Sequence, residues 1–192
     1  MLKFVSIKKK LIEKLTEGLP EHLYYHSPQH TLYVIKNVIF IGEKENVSKK
    51  DMFLLKLAAL YHDVGFIDGS ENHEEKSCKI AKRELAKAGL SKEQIEKICG
   101  MIMATKIPQQ PKNLLEEILA DADLEYLGTK QFSKIGDQLY EELKHSNSNY
   151  SKKQWNKLQI SFLSNHRYHT KFCRQYREKY KKKHLQQLIS NS

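Results

Sequence analysis

The sequence predicts an all-α fold, a bundle of helices built as one domain. Apolar residues recur at three- and four-residue spacing along most of the chain, and no segment keeps the period-2 alternation of a half-buried strand. Only eight glycines and four prolines punctuate the 192 residues. Two Ser-x-x-Gln signatures, Ser91-Gln94 and Ser151-Gln154, read as capping boxes that open helices.

Taken in order, a first helix is predicted from about Leu2 to Glu17, stopped by Gly18-Leu-Pro20. Ser27 followed by Pro28 supplies an N-cap and a proline at the first helical position, launching a helix to about Glu45. Ser48 caps the next, which runs to His62. A loop from Val64 to Asn72 follows, with Gly65 and Gly69 as its flexible points. Helices are then predicted at 73–88, ending at Gly89, and at 91–105. Gly100 inside that pattern costs helix stability relative to alanine, so close helix packing is the expected reason for it. Pro108-Gln-Gln-Pro111 breaks the pattern, and helices resume at 112–128, 130–145, 151–165 and 170–189. Trp155 is expected to anchor the C-terminal helices on the core.

No apolar run approaches the roughly 20 residues that span a bilayer. The N-terminal stretch Met1–Lys10 places its lysines after its apolar residues, a poor secretory signal. Cys78, Cys99 and Cys173 are odd in number and lack Cys-x-x-Cys spacing, as expected of reduced thiols in a cytoplasmic protein. The net charge of +10 favours anionic ligands by steering, whether nucleotides, nucleic acid or phosphorylated metabolites. Much of it lies between Arg167 and Lys183, so it says little about an active site.

Chemistry concentrates at His62-Asp63, which closes the apolar run Phe53–Tyr61. Two ionisable groups at the end of so hydrophobic a segment are costly unless paired or metal-bound. Three other clusters offer partners: Tyr25-His-Ser-Pro-Gln-His-Thr31, His73-Glu74-Glu75, and Leu119-Ala-Asp-Ala-Asp-Leu124. Mixed imidazole and carboxylate donors suit Mn²⁺, Fe²⁺, Co²⁺, Ni²⁺ or Zn²⁺. The absence of thiolates argues against a closed structural zinc site.

At these residues the chain resembles the HD superfamily of metal-dependent phosphohydrolases. His30, His62-Asp63 and Asp123 meet the order H…HD…D, and the surrounding words Ala58-Ala-Leu-Tyr-His-Asp-Val64 and Ala122-Asp-Leu124 match as well. The resemblance implies a single HD domain over 1–192, with a motif core at about 23–128 and a helical extension at 129–192. It implies that His30, His62, Asp63 and Asp123 hold a divalent metal, Mg²⁺ being added to the ions above, and that Asp63 is also essential to catalysis. Asp123 fits the family's Ala-Asp-Leu better than Asp121, which then supports the site from behind. The two-residue shift stays open.

In the cyclic-nucleotide phosphodiesterase branch, the histidine matching His26 protonates the leaving group. His26 is thus a candidate general acid, the alternative being a hydrogen bond at the pocket rim. Glu74 is a candidate for positioning the attacking water, or simply an acidic first turn. His73 is a candidate for substrate phosphate or a second metal, with Asp68 a weaker one. Lys106 is a candidate phosphate contact, or a cation favoured near the end of a helix. Many relatives carry a histidine just after this point; Ile107-Pro108 here departs from a histidine-rich two-metal site.

The expected function is hydrolysis of a nucleotide or related phosphoester by metal-activated water. Alarmone hydrolysis fits less well, since those relatives carry paired acids shortly after His-Asp, where this chain has Val-Gly-Phe-Ile-Asp68. The rival readings are a nucleic-acid-binding helical module with a structural or vestigial metal site, suggested by the basic tail, and a di-iron oxygenase of the same superfamily. The expected partner is a small phosphoester, with no membrane; a homodimer stays open. Tyr168, Phe172, Tyr176 and Tyr180 recur every four residues and are expected to pack one face of the last helix on the body. His166 and His169 are expected at the surface or an interface.

Overall fold

A computed structural model describes residues 4–191, which form ten α-helices and no strand. They are α1 (Phe4–Gly18), α2 (Pro28–Lys44), α3 (Lys49–Tyr61), α4 (His73–Lys87), α5 (Lys92–Met103), α6 (Leu114–Asp123), α7 (Phe132–Ser146), α8 (Lys152–Asn165), α9 (Lys171–Tyr176) and α10 (Glu178–Ser190). The start expected for the first helix, Leu2, lies outside the described residues. No helix among them is long and apolar enough to cross a membrane.

The caps behave as their chemistry dictates. Ser27 accepts from the His30 amide, Ser48 from that of Asp51, and both Ser-x-x-Gln boxes close reciprocally. Asn113 and Thr170 cap α6 and α9 in the same way.

Apolarity on nearly every side places α3 at the centre of the bundle. Every residue from Leu57 to Tyr61 is buried, and the helix packs against α1, α2, α4, α5 and α6. Its C-terminus therefore delivers His62-Asp63 into the interior, with His62 wholly shielded from solvent. Helix α10 closes the far side against α8 and the 3-10 turn Glu125–Gly128. Trp155 is buried on α8 beside Tyr140.

Several boundaries differ from expectation, each for a physical reason. Val64–Asp68 is a 3-10 turn rather than open loop, and Gly65 serves closeness instead of flexibility. A Cβ on Gly65 would stand 2.1 Å from the His73 carbonyl oxygen and 2.8 Å from the Ser77 amide nitrogen. Gly69, at φ +96°, does occupy the left-handed region. Gly100 faces Glu116 on α6 closely, as its packing role requires.

The helix expected at 170–189 is broken at Arg177, whose backbone presses on Gly128 so that a Cβ there would stand 2.6 Å from the Arg177 carbonyl oxygen. The expected aromatic face divides accordingly. Tyr168 is buried before α9 and donates its hydroxyl to the Leu124 and Glu125 carbonyls, whereas Tyr176 and Tyr180 are exposed. His166 is half-buried instead of on the surface. Burial and then the charge of Lys181, whose ammonium lies 3.2 Å from His166 Nδ1, push its pKa down to about 3.

Two outcomes follow from this packing. Gly65→Ala forces a methyl into the α4 backbone and is expected to cost about 1–3 kcal/mol, read as a lowered urea midpoint. Below its ordinary value of 6.5 the unfolded His166 takes up a proton that the folded imidazole refuses until about pH 3, so folding stability drains away as pH falls through that window. His166→Gln should therefore show a smaller stability loss between pH 7 and pH 5 than the wild type in denaturant titrations.

Candidate metal centre

Three helix ends meet at one point. His30 lies in the first turn of α2, turned inward by the Ser27 cap; His62-Asp63 follows α3; Asp123 is the last residue of α6. The ligand atoms of His30, His62 and Asp123 all lie within 4.8 Å of one another. His30 Nε2 is 2.9 Å from Asp123 Oδ1, and His62 Nε2 is 3.6 Å from the same oxygen. Asp63 Oδ2 joins the group at 3.1 Å from His62 Nε2 and 3.5 Å from His30 Nε2.

The neighbouring backbone sets the tautomer of His62. Its Nδ1–H donates to the Ala59 carbonyl at 2.8 Å, leaving the Nε2 lone pair aimed at the cluster. The two Nε2 atoms stand only 3.4 Å apart, and Asp63 Oδ2 is buried with no hydrogen bond. So close an approach of two imidazole nitrogens, with a carboxylate oxygen that makes no hydrogen bond beside them, is stabilised by a cation among them, whether proton or metal. Burial works against charge on His62, yet Asp63 and Asp123 override it and raise its pKa well above the ordinary value. Burial likewise opposes ionisation of the acids, but His62 above all holds Asp63 far below the carboxylate range, and His30 and His62 hold Asp123 at about 2. Imidazole nitrogen and carboxylate oxygen in this number fit a divalent ion of the borderline class.

The two late aspartates part company. Residues two apart on a helix point about 200° apart, so Asp121 and Asp123 cannot face the same cluster. Asp121 instead accepts from the His169 and Thr170 amides and the Thr170 hydroxyl, at 2.6–2.9 Å, pinning the segment before α9. It does not brace the cluster from behind.

A cavity of about 220 Å³ opens on the cluster, and His26, His73 and Glu74 line it beside Asp63 and Asp123. His73 Nε2 is 3.4 Å from Glu74 Oε1 and 3.7 Å from Asp63 Oδ1. Phe66 packs against the rings of both His26 and His73, with centroids 4.0 and 4.2 Å away, while those two rings lie 6.1 Å apart. Lys106 is elsewhere: its ammonium is 2.6 Å from Glu75 Oε1 and outside the cavity lining. Asp68 is likewise absent from that lining.

The residue missed by sequence reasoning is Glu142 on α7. One of its oxygens accepts from the Tyr25 and His26 amides, and the other lies 2.5 Å from His26 Nδ1. Burial would lower the His26 pKa, but Glu142, helped by Asp63 and Asp123, raises it. A carboxylate at the i+7 position of the apolar stripe Ile135, Leu139 was the available signal.

In known structures this architecture recurs. A predicted HD superfamily hydrolase from an uncultured Thermotogales bacterium superposes with a TM-score of 0.63 at 17% identity, over 95% of this chain and 91% of that one. Bacillus subtilis YpgQ, solved in complex with ADP, gives 0.67 at 16% identity, over 98% and 97%. No curated protein matches the chain. The HD domain family model matches residues 29–125, the stretch that holds His30, His62-Asp63 and Asp123, and the chain belongs to that family.

Proposed function

We propose that the protein is a metal-dependent phosphoric ester hydrolase acting on a nucleotide or related phosphoester. The observation that carries this reading is the convergence of two imidazoles and two carboxylates on one point, where Asp63 Oδ2 makes no hydrogen bond, beside a cavity that also holds His26 and Glu74. His30, His62, Asp63 and Asp123 would hold the ion, which when bound makes water more acidic and polarises a phosphoryl oxygen.

The chain's own groups divide the remaining work. Glu74, buried at the first turn of α4, accepts a proton from water in the cavity and orients it. Glu142 on Nδ1 raises the His26 pKa against the pull of burial and so favours the imidazolium, whose other nitrogen is left to protonate the departing oxygen. Phe66 packs both His26 and His73 and excludes water from their faces. The ADP bound to YpgQ supports a nucleoside phosphate as one member of the substrate class. A di-iron oxygenase fits less well, since His26, one of the two further imidazoles at the cavity, is committed to Glu142. The exposed Tyr176 and Tyr180 beside Lys179 and Lys182 favour, as a second reading, contact with a nucleic acid.

Two measurements bear on the reading. Mn²⁺ or Ni²⁺ at about 100 times its Kd should stabilise the fold by about 2.7 kcal/mol, seen as a raised melting temperature. Asp63→Ala should remove both that shift and all hydrolysis of a phosphoester panel; activity surviving the change would sink the site. His26→Gln and Glu142→Gln should each slow hydrolysis of alkyl esters, the former by about 10²–10⁴-fold, while sparing nitrophenyl esters, whose leaving group needs no proton. Equal losses on both ester types would instead assign the pair a purely structural role.

A further inference from the structure

The cavity beside the cluster has two chemically distinct ends. One carries the ionisable groups already described. The other is walled by Phe132 and Leu139 of α7 and by Trp155, Leu158, Phe162 and Leu163 of α8. Among the described residues no lysine or arginine lines any part of it.

The chain's described lysines and arginines lie outside this lining. Lys106 is tied to Glu75, Arg177 to Glu125, and Lys181 to Glu178 and the His166 carbonyl. Lys79, Lys82 and Lys112 gather along a different groove, between α4 and the segment ahead of α6. Beyond the two imidazoles of the lining, of which His26 is already bonded to Glu142, each further phosphate on a substrate would thus meet apolar walls or carboxylates, with no lysine or arginine to offset its loss of water. At about 220 Å³ the cavity also falls below the roughly 300–1,000 Å³ that holds drug-sized ligands. The amide of Gln159 is the one polar group that α8 contributes.

From this we infer that the substrate carries a single phosphoryl group on a small, uncharged and largely apolar organic group, and that, in contrast to YpgQ with its bound ADP, this protein discriminates against nucleoside di- and triphosphates. The inference rests on the phosphohydrolase reading and narrows its substrate class. The phosphoryl group sits at the histidine and carboxylate end. The organic group lies along α7 and α8, where burial of its apolar surface supplies the affinity.

Trp155 gives a direct probe, being the chain's sole tryptophan and part of the apolar wall. With the Mn²⁺-loaded protein, phenyl phosphate should change its fluorescence and bind about tenfold or more tightly than ATP. Turnover, as kcat/KM, should favour phenyl phosphate and a nucleoside monophosphate over ATP in the same order. Leu158→Lys, at the partly exposed rim, should narrow the gap by improving ATP. ATP matching or exceeding phenyl phosphate in both binding and turnover would overturn the inference and leave the phosphohydrolase reading standing. Hydrolysis of none of these esters, with Asp63-dependent metal binding intact, would overturn that reading itself.

Discussion

Four ionisable side chains are carried to the middle of an apolar bundle, where His62, Asp63 and Asp123 hold charge against burial only because of one another and of His30. Without the imidazoles, Asp63 and Asp123 would be buried carboxylates; without the carboxylates, burial would strip His62 of any proton. The arrangement follows from the central position of α3. Its packing on five neighbours leaves its end open only to the cavity, so whatever follows Tyr61 must be compensated from α2 and α6. Removing one member therefore leaves the rest unbalanced, the costliest kind of defect in a protein interior.

The same device, a buried acid meeting donors from a distant segment, ties the two halves of the chain together. Asp121 receives the His169 and Thr170 amides, Glu125 the Arg177 guanidinium and the Tyr33 hydroxyl, and Glu142 the Tyr25 and His26 amides. Glu45 adds a fourth link through the Phe172 amide. These bonds hold α7 through α10 onto the helices that carry the cluster, and so form the cavity wall opposite it.

The helices and the His62-Asp63 pair were legible because both rest on local signals, whereas the full set with His30 and Asp123 came from the resemblance to the HD superfamily. Serine caps, helical periodicity and the His-Asp pair after an apolar run are properties of neighbouring residues, and each is found where those properties place it. Long-range bonds were not legible. Nothing local distinguishes Glu142 from a solvated glutamate except its apolar register, and nothing in the even periodicity of 170–189 announces that Arg177 turns inward to Glu125. Lys106 shows the converse: a lysine near helical motifs invites a role with phosphate, but Glu75 on the adjacent helix claims it first. The choice between Asp121 and Asp123 was geometric, and only the position of α2 against α6 decides which face meets His30.

The Glu142–His26 bond joins residues 116 positions apart, and both lie outside the stretch that the family model matches. The cluster of two imidazoles and two carboxylates and the wall that faces it across the cavity are thus carried by different stretches of the chain. On the proposed reading, substitutions confined to the last third of the chain would alter the surroundings of His26 and the apolar wall of the cavity while leaving the four clustered side chains in place.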